Sequence, residues 1–159
     1  MTTSPMPDTR EPHTQAPPDN TILAQWQGGH RFDVGREGGP VVRVDGDAAT
    51  GPSPVDTLLG ALATCAAVDV VDILAKRRTP VATLEVRVEA RRANSIPRRL
   101  THVRLVFRIT GEGIERDQAE RAIDLSINKY CSVHDSLDPN LPIEWSLALT
   151  DSPMLRTTG

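Results

Sequence analysis

The sequence has few cysteines, few aromatic residues, no long apolar run and no marked excess of charge. Each shortage closes off a class of protein. Its 159 residues include two cysteines, Cys65 and Cys131, too few for a disulfide scaffold. Two Trp, one Tyr and two Phe are too few to build a stacking platform for single-stranded nucleic acid. The net charge of -3 gives no global attraction to nucleic acid or to an anionic membrane. No stretch approaches the roughly 18 consecutive apolar residues of a membrane span. The opening MTTSPMPDTREPHTQ lacks the apolar h-region of a secretory signal. A reducing, cytoplasmic setting is therefore expected, where a pair of thiols is either core filler or redox chemistry. There is no Gly-rich phosphate loop and no internal repeat, so no cofactor is expected.

What the chain does contain is one domain's worth of patterned sequence between two tails. Residues 1–20 hold five of the 13 prolines and only Met1, Met6 and Ala16 as apolar residues, which reads as a disordered tail. Residues 151–159 read as a frayed C-terminus, leaving a single domain over 21–150. Its opening carries three short strands, around Ile22–Trp26, Arg31–Val34 and Val41–Val44, with Gly-Gly turns between them. Ser53-Pro54-Val55-Asp56 is a helix start in several ways at once: Ser53 as N-cap, Pro54 at the first helical position and Asp56 as the capping-box acid. The helix it opens runs to about Lys76, is apolar on most of its circumference, and is predicted to be buried nearly all round. Two alternating strands follow, with Leu84, Val86, Val88 and Ala90 on the dry face of the first and Val103, Leu105, Phe107 and Ile109 on that of the second. An amphipathic helix over 115–131, a short helical turn capped by Ser132 and Asp135, and a last strand over 143–149 complete the chain. The order β-β-β-α-β-β-α-(short α)-β is α+β, not alternating β-α-β, which argues against a doubly wound nucleotide fold.

Few residues carry chemistry. Cys65 stands midway along the long helix, about three turns from its N-terminus and beyond the reach of its dipole. A thiol there is ordinarily a small hydrophobe, and reactivity would need a cation supplied by another element. Cys131 stands at a helix junction, where free backbone N–H groups can stabilise an anionic sulfur. Cys131 and His134 are spaced like two zinc ligands on a turn, and Cys65 with Asp69 or His102 could complete a tetrahedron. Without a second close-spaced pair no metal site is expected. Arg91, Arg92, Arg98 and Arg99 crowd the hairpin between the two long strands and read as a solvated tip that could meet a small anion.

Two segments, GPSPVDTLLGALATCAAVDVVDILAKR over 51–77 and RAIDLSINKYCSV over 121–133, together resemble the OsmC/Ohr family of osmotically inducible and organic hydroperoxide resistance proteins. The resemblance spans about 21–150, and GGHRFDVG over 28–35 is similar to the YhfA-like branch. It implies an OsmC-like fold assembled as an intertwined homodimer, each central helix held between two sheets. It also implies a thiol-dependent peroxidase acting on organic hydroperoxides, with Cys65 as the attacking thiolate and Cys131 as the resolving thiol. A dithiol, such as the lipoyl group of a partner protein, would reduce the resulting disulfide. Arg31 is the first candidate for the activating cation, with Arg36 and Arg43 as alternatives. Ser53, Asp56, Asp69, Tyr130, Ser132 and His134 are the polar groups expected around the thiols or at the helix caps. The family's peroxidases carry a glutamate directly after the proline that opens the helix. Here that position is Val55, and Asp56 lies one residue on, rotated by about 100°. The alternative is a non-catalytic dimer of the same fold that binds a small apolar ligand or a protein partner, with both cysteines as packing residues.

Overall fold

The computed structural model describes residues 18–150, which form two compact units parting between Gly51 and Pro52. The expected tails lie almost wholly outside the described residues.

The first unit is an antiparallel sheet of β1 (Leu23–Trp26), β2 (Arg31–Gly35) and β3 (Val41–Asp45), in that order. Gly28 and Gly29 take positive φ of 88° and 57°, which the tight turn between β1 and β2 requires and a Cβ would penalise. Asp45 ends β3 and organises the loop after it. Its buried carboxylate accepts from the N–H of Asp47 (3.0 Å), the N–H of Thr50 (2.9 Å) and the Thr50 hydroxyl (2.8 Å). These donors favour the ionised form and hold its pKa down to about 2.

The second unit packs helices on one face of a three-stranded sheet. Helix α1 (Pro54–Lys76) starts where the sequence indicates, with a reciprocal capping box: the Asp56 N–H donates to Ser53 Oγ at 3.2 Å, and the Ser53 N–H to the Asp56 carboxylate at 3.0 Å. Strands β4 (Thr83–Arg92) and β5 (Leu100–Thr110) pair antiparallel, while β6 (Ile143–Thr150) pairs parallel with β5. A parallel return needs a crossover, and α2 (Arg116–Leu125) with the segment after it supplies one. Alternation along β5 puts Val103, Leu105, Phe107 and Ile109 wholly inside, against Leu62, Ala66, Val70 and Leu74 of α1 and Ala119, Ala122 and Ile123 of α2. His102, Arg104, Val106 and Arg108 occupy the alternate, opposite-facing positions of the strand.

Two elements differ from expectation. The second helix does not continue to residue 131: α2 ends at Leu125 and a five-residue π-turn, Ser126–Tyr130, follows it. Helix α1 is central to the unit, but the described residues of that unit cover only one of its faces. Leu58, Val68 and Val71 are 40%, 61% and 40% exposed. By length and composition α1 could cross a bilayer. It is nevertheless interrupted by Asp56, Asp69 and Asp72, and its covered face is part of the core.

Candidate active site

Helix α1 brings Cys65 to the boundary between its covered and open faces. Leu62 and Ala66, three residues before it and one after, are in the core. Ala61 and Val68 are exposed, and Cys65 itself is half-buried.

Cys131 arrives from across the core and is 2% exposed. It terminates the π-turn, donating its N–H to the Ser126 carbonyl at 2.8 Å. It also caps the next short helix, α3 (Ser132–Asp135), because its sulfur accepts from the His134 N–H at 3.4 Å. The sequence points to Ser132 as that cap. The backbone moves the role back one residue, since Cys131 has the extended conformation of an N-cap while Ser132 is already helical. Burial pushes the Cys131 thiol up to about 11. The His134 N–H opposes this, and the Cys65 thiol adds to the rise. The two cysteines, 66 positions apart in sequence, meet at one part of the core, with Cys65 packed against the cluster that includes Cys131. They are not equivalent: Cys65 is half-buried and Cys131 is buried.

Beside Cys131 lies a shallow cavity of about 180 Å³, lined by Lys129, Tyr130, Cys131, Ser132 and His134 among others; Cys65 is not part of its wall. Tyr130 is 50% exposed, with the Lys129 ammonium 5.3 Å from its ring centre. His134 enters the site through its backbone N–H. Asp69 is half-buried one turn beyond Cys65 on α1. Ser53 and Asp56 serve the helix cap, about 15 Å from Cys65 along the axis. Among the described residues no group of three or more His, Cys, Asp or Glu is placed to hold a metal, so the set Cys65, Cys131, His134 with Asp69 or His102 is not assembled. Arg31 belongs to the first unit, where its Nε donates to the Gly28 carbonyl at 3.2 Å, a neutral acceptor. Arg43 is engaged with Asp33 at 2.6 Å, and Arg36 donates to Asn20 at 2.8 Å.

Residue-type reasoning gave Ser126 no role. It is fully buried, and its hydroxyl donates to the Ala66 carbonyl on α1 at 2.8 Å.

A family model described as OsmC-like protein matches residues 45–146, a span that takes in both cysteines. The chain belongs to the OsmC-like family. This OsmC-like chain is 38% identical over 110 residues to protein YhfA of Escherichia coli K12, covering 69% of the chain and 82% of that protein. Among solved structures it is similar to an OsmC-like protein from Mycoplasma pneumoniae, with TM-score 0.70 at 18% identity over 82% of this chain and 98% of that one. It is also similar to the organic hydroperoxide resistance protein OhrB of Bacillus subtilis, with TM-score 0.55 at 13% identity over 80% and 96%. The element order of the OsmC-like chain, with its central helix and two sheets, is that of the family fold.

Proposed function

We propose that the OsmC-like chain is a thiol-dependent peroxidase that reduces organic hydroperoxides through Cys65 and Cys131. The observation that carries this reading is the asymmetric pair itself: a half-exposed thiol beside a buried one. The exposed member can meet a substrate. The buried member, held as a neutral thiol, is suited to waiting for its neighbour to be oxidised.

In this scheme the Cys65 thiolate attacks one hydroperoxide oxygen. The O–O bond breaks, its electron pair leaves on the alkoxide, and the alkoxide takes a proton to become the alcohol. Cys65 is left as a sulfenic acid. The Cys131 sulfur then attacks the Cys65 sulfur. An S–S bond forms, and the departing hydroxide takes the Cys131 proton and leaves as water. A dithiol, free or carried as lipoyl on a partner protein, returns both thiols by exchange and is oxidised to its own disulfide. Arg31 is the proposed cation for the Cys65 thiolate, supplied within a homodimer. The open stripe on α1 supports such pairing of two chains. Chemistry of this kind is suited to the reducing cytoplasm.

A second reading has an observation of its own. An apolar pocket of about 280 Å³ lies between Val55, Leu58, Leu100, Leu137 and Leu141, with Arg98, Arg99 and Asp138 also lining it. Val55, which stands where the family's peroxidases carry an acid, contributes a wall of this pocket. Binding of a small apolar ligand without thiol chemistry would use such a space.

One experiment separates the two. Free thiols are counted after a stoichiometric pulse of cumene hydroperoxide. The peroxidase reading expects both thiols of each chain to disappear in the wild type. In Cys131→Ser it expects a sulfenic acid on Cys65 that dimedone captures. Thiols that survive the pulse, in a chain that still binds an apolar fluorescent probe, would establish the second reading instead.

A further inference from the structure

The π-turn and the buried Ser126 hydroxyl are not used by the scheme above, yet both act on the segment that carries Cys131. Ser126 is tied on two sides. Its hydroxyl donates to the carbonyl of Ala66, the residue after Cys65, at 2.8 Å. Its own carbonyl accepts the N–H of Cys131, also at 2.8 Å. One residue thereby joins the backbones on either side of the two sulfurs, across 60 positions of sequence.

The π-turn makes the second link geometrically useful. In an α-helix, a residue five positions on is rotated by about 140° from its starting residue, on a different face. Closing an i to i+5 hydrogen bond widens the turn, so the fifth residue stacks nearly over the first. Ser126 and Cys131 consequently share the face that looks onto α1, and both are buried. The three residues before Cys131, Asn128, Lys129 and Tyr130, are exposed. An uninterrupted α2 would carry Cys131 away from Cys65.

We infer that Ser126 is the positioning residue of the dithiol: through the Ala66 carbonyl and the Cys131 amide it holds the two cysteine-bearing elements at the spacing that disulfide closure needs. This rests on the dithiol reading above, though only on the pairing of the two thiols and not on what oxidises them. Ser126 touches no reacting atom. It raises the effective concentration of one thiol at the other.

The test uses the full-length protein equilibrated in a dithiothreitol redox buffer, which reads disulfide closure without any hydroperoxide. Removing a buried hydrogen bond of this kind predicts that Ser126→Ala lowers the disulfide equilibrium constant about tenfold, equivalent to about 30 mV. Ile123→Val, a buried change on the same helix without a hydrogen bond, is the packing control and is expected within twofold of wild type. In the cumene hydroperoxide pulse, Ser126→Ala is expected to form the Cys65 sulfenic acid at the wild-type rate and to accumulate it. Equal constants for wild type and Ser126→Ala, or equal losses in Ser126→Ala and Ile123→Val, overturn the inference. Should Ser126→Ala not fold, Ser126→Thr decides: retention of the constant within threefold supports the hydroxyl's role, and a tenfold loss refutes it. A wild type that closes its disulfide in the redox buffer but ignores hydroperoxide would overturn the peroxidase reading while leaving the role of Ser126 intact.

Discussion

At the scale of single residues, the division of labour between the thiols rests on solvent. Cys131 is buried, and burial penalises its thiolate, so its pKa is pushed up to about 11. The sign of the consequence is definite. A raised pKa keeps Cys131 protonated at neutral pH, and its reactive fraction grows about tenfold with each pH unit until the pH approaches that value. If disulfide closure follows hydroperoxide attack, burial still penalises the Cys131 thiolate, and the closure rate is expected to rise steadily from pH 7 to 9. Rapid mixing with hydroperoxide, followed by acid quench at timed intervals, measures this; a plateau near pH 8 would contradict it. Both cysteines were legible in the sequence by residue type and by the segments around them. The cap made by the Cys131 sulfur and the bridge made by Ser126 were not. Serine is common on helix faces, and its contact with Ala66 exists only once the chain has folded across 60 positions. The proposal of Arg31 rests on resemblance alone, because nothing in its own strand marks it for thiol chemistry.

Elements were the most readable level, since each announces itself with local chemistry. The opening of α1 carried Ser, Pro and Asp at cap, first and third positions, and all three do what those positions call for. Ser53→Ala removes the cap acceptor and is expected to cost about 1 kcal/mol. A lowered urea midpoint at unchanged m-value would show it, and wild-type stability would mean that water replaces the cap. The hydrogen bonds from the Ser53 hydroxyl and N–H hold the Asp56 carboxyl below the usual carboxylate range. That contribution is present above the ordinary carboxylate pKa and is lost as pH falls through the depressed one. The penalty of Ser53→Ala is therefore expected to shrink in acid. The π-turn was the unreadable element. SINKY has no residue that forbids an α-helix, and the sequence period runs on through it. The extra residue becomes visible only where Cys131 has to face α1.

For the whole molecule, the unspent apolar surface is the outstanding quantity. Leu58, Ala61, Val68 and Val71 recur along α1 at spacings of three, seven and three, which makes a seam on the uncovered face. The sequence indicates an apolar circumference, and the described residues of the second unit cover only part of it. A shallow apolar depression of about 270 Å³ over Thr64, Ala67, Val68, Val71 and Asp72 lies on this open side. Monomeric proteins rarely leave a continuous stripe of this kind in water. The proposed occupant is the same stripe of a second chain, an arrangement in which one patch serves both partners of a two-fold dimer. Light scattering after gel filtration is then expected to report twice the chain mass. Val68→Asp places a charge in the middle of the seam on both partners, so each dimer gains two buried carboxylates. Desolvation on that scale is expected to raise the dimer dissociation constant at least about 100-fold. The effect on catalysis separates dimerisation from folding. If the dimer supplies Arg31 to the thiol pair, folded Val68→Asp monomers lose hydroperoxide reduction yet still close the Cys65–Cys131 disulfide in a redox buffer, because both thiols belong to one unit of one chain. Full peroxidase activity in a folded monomer would instead confine the whole site to a single chain.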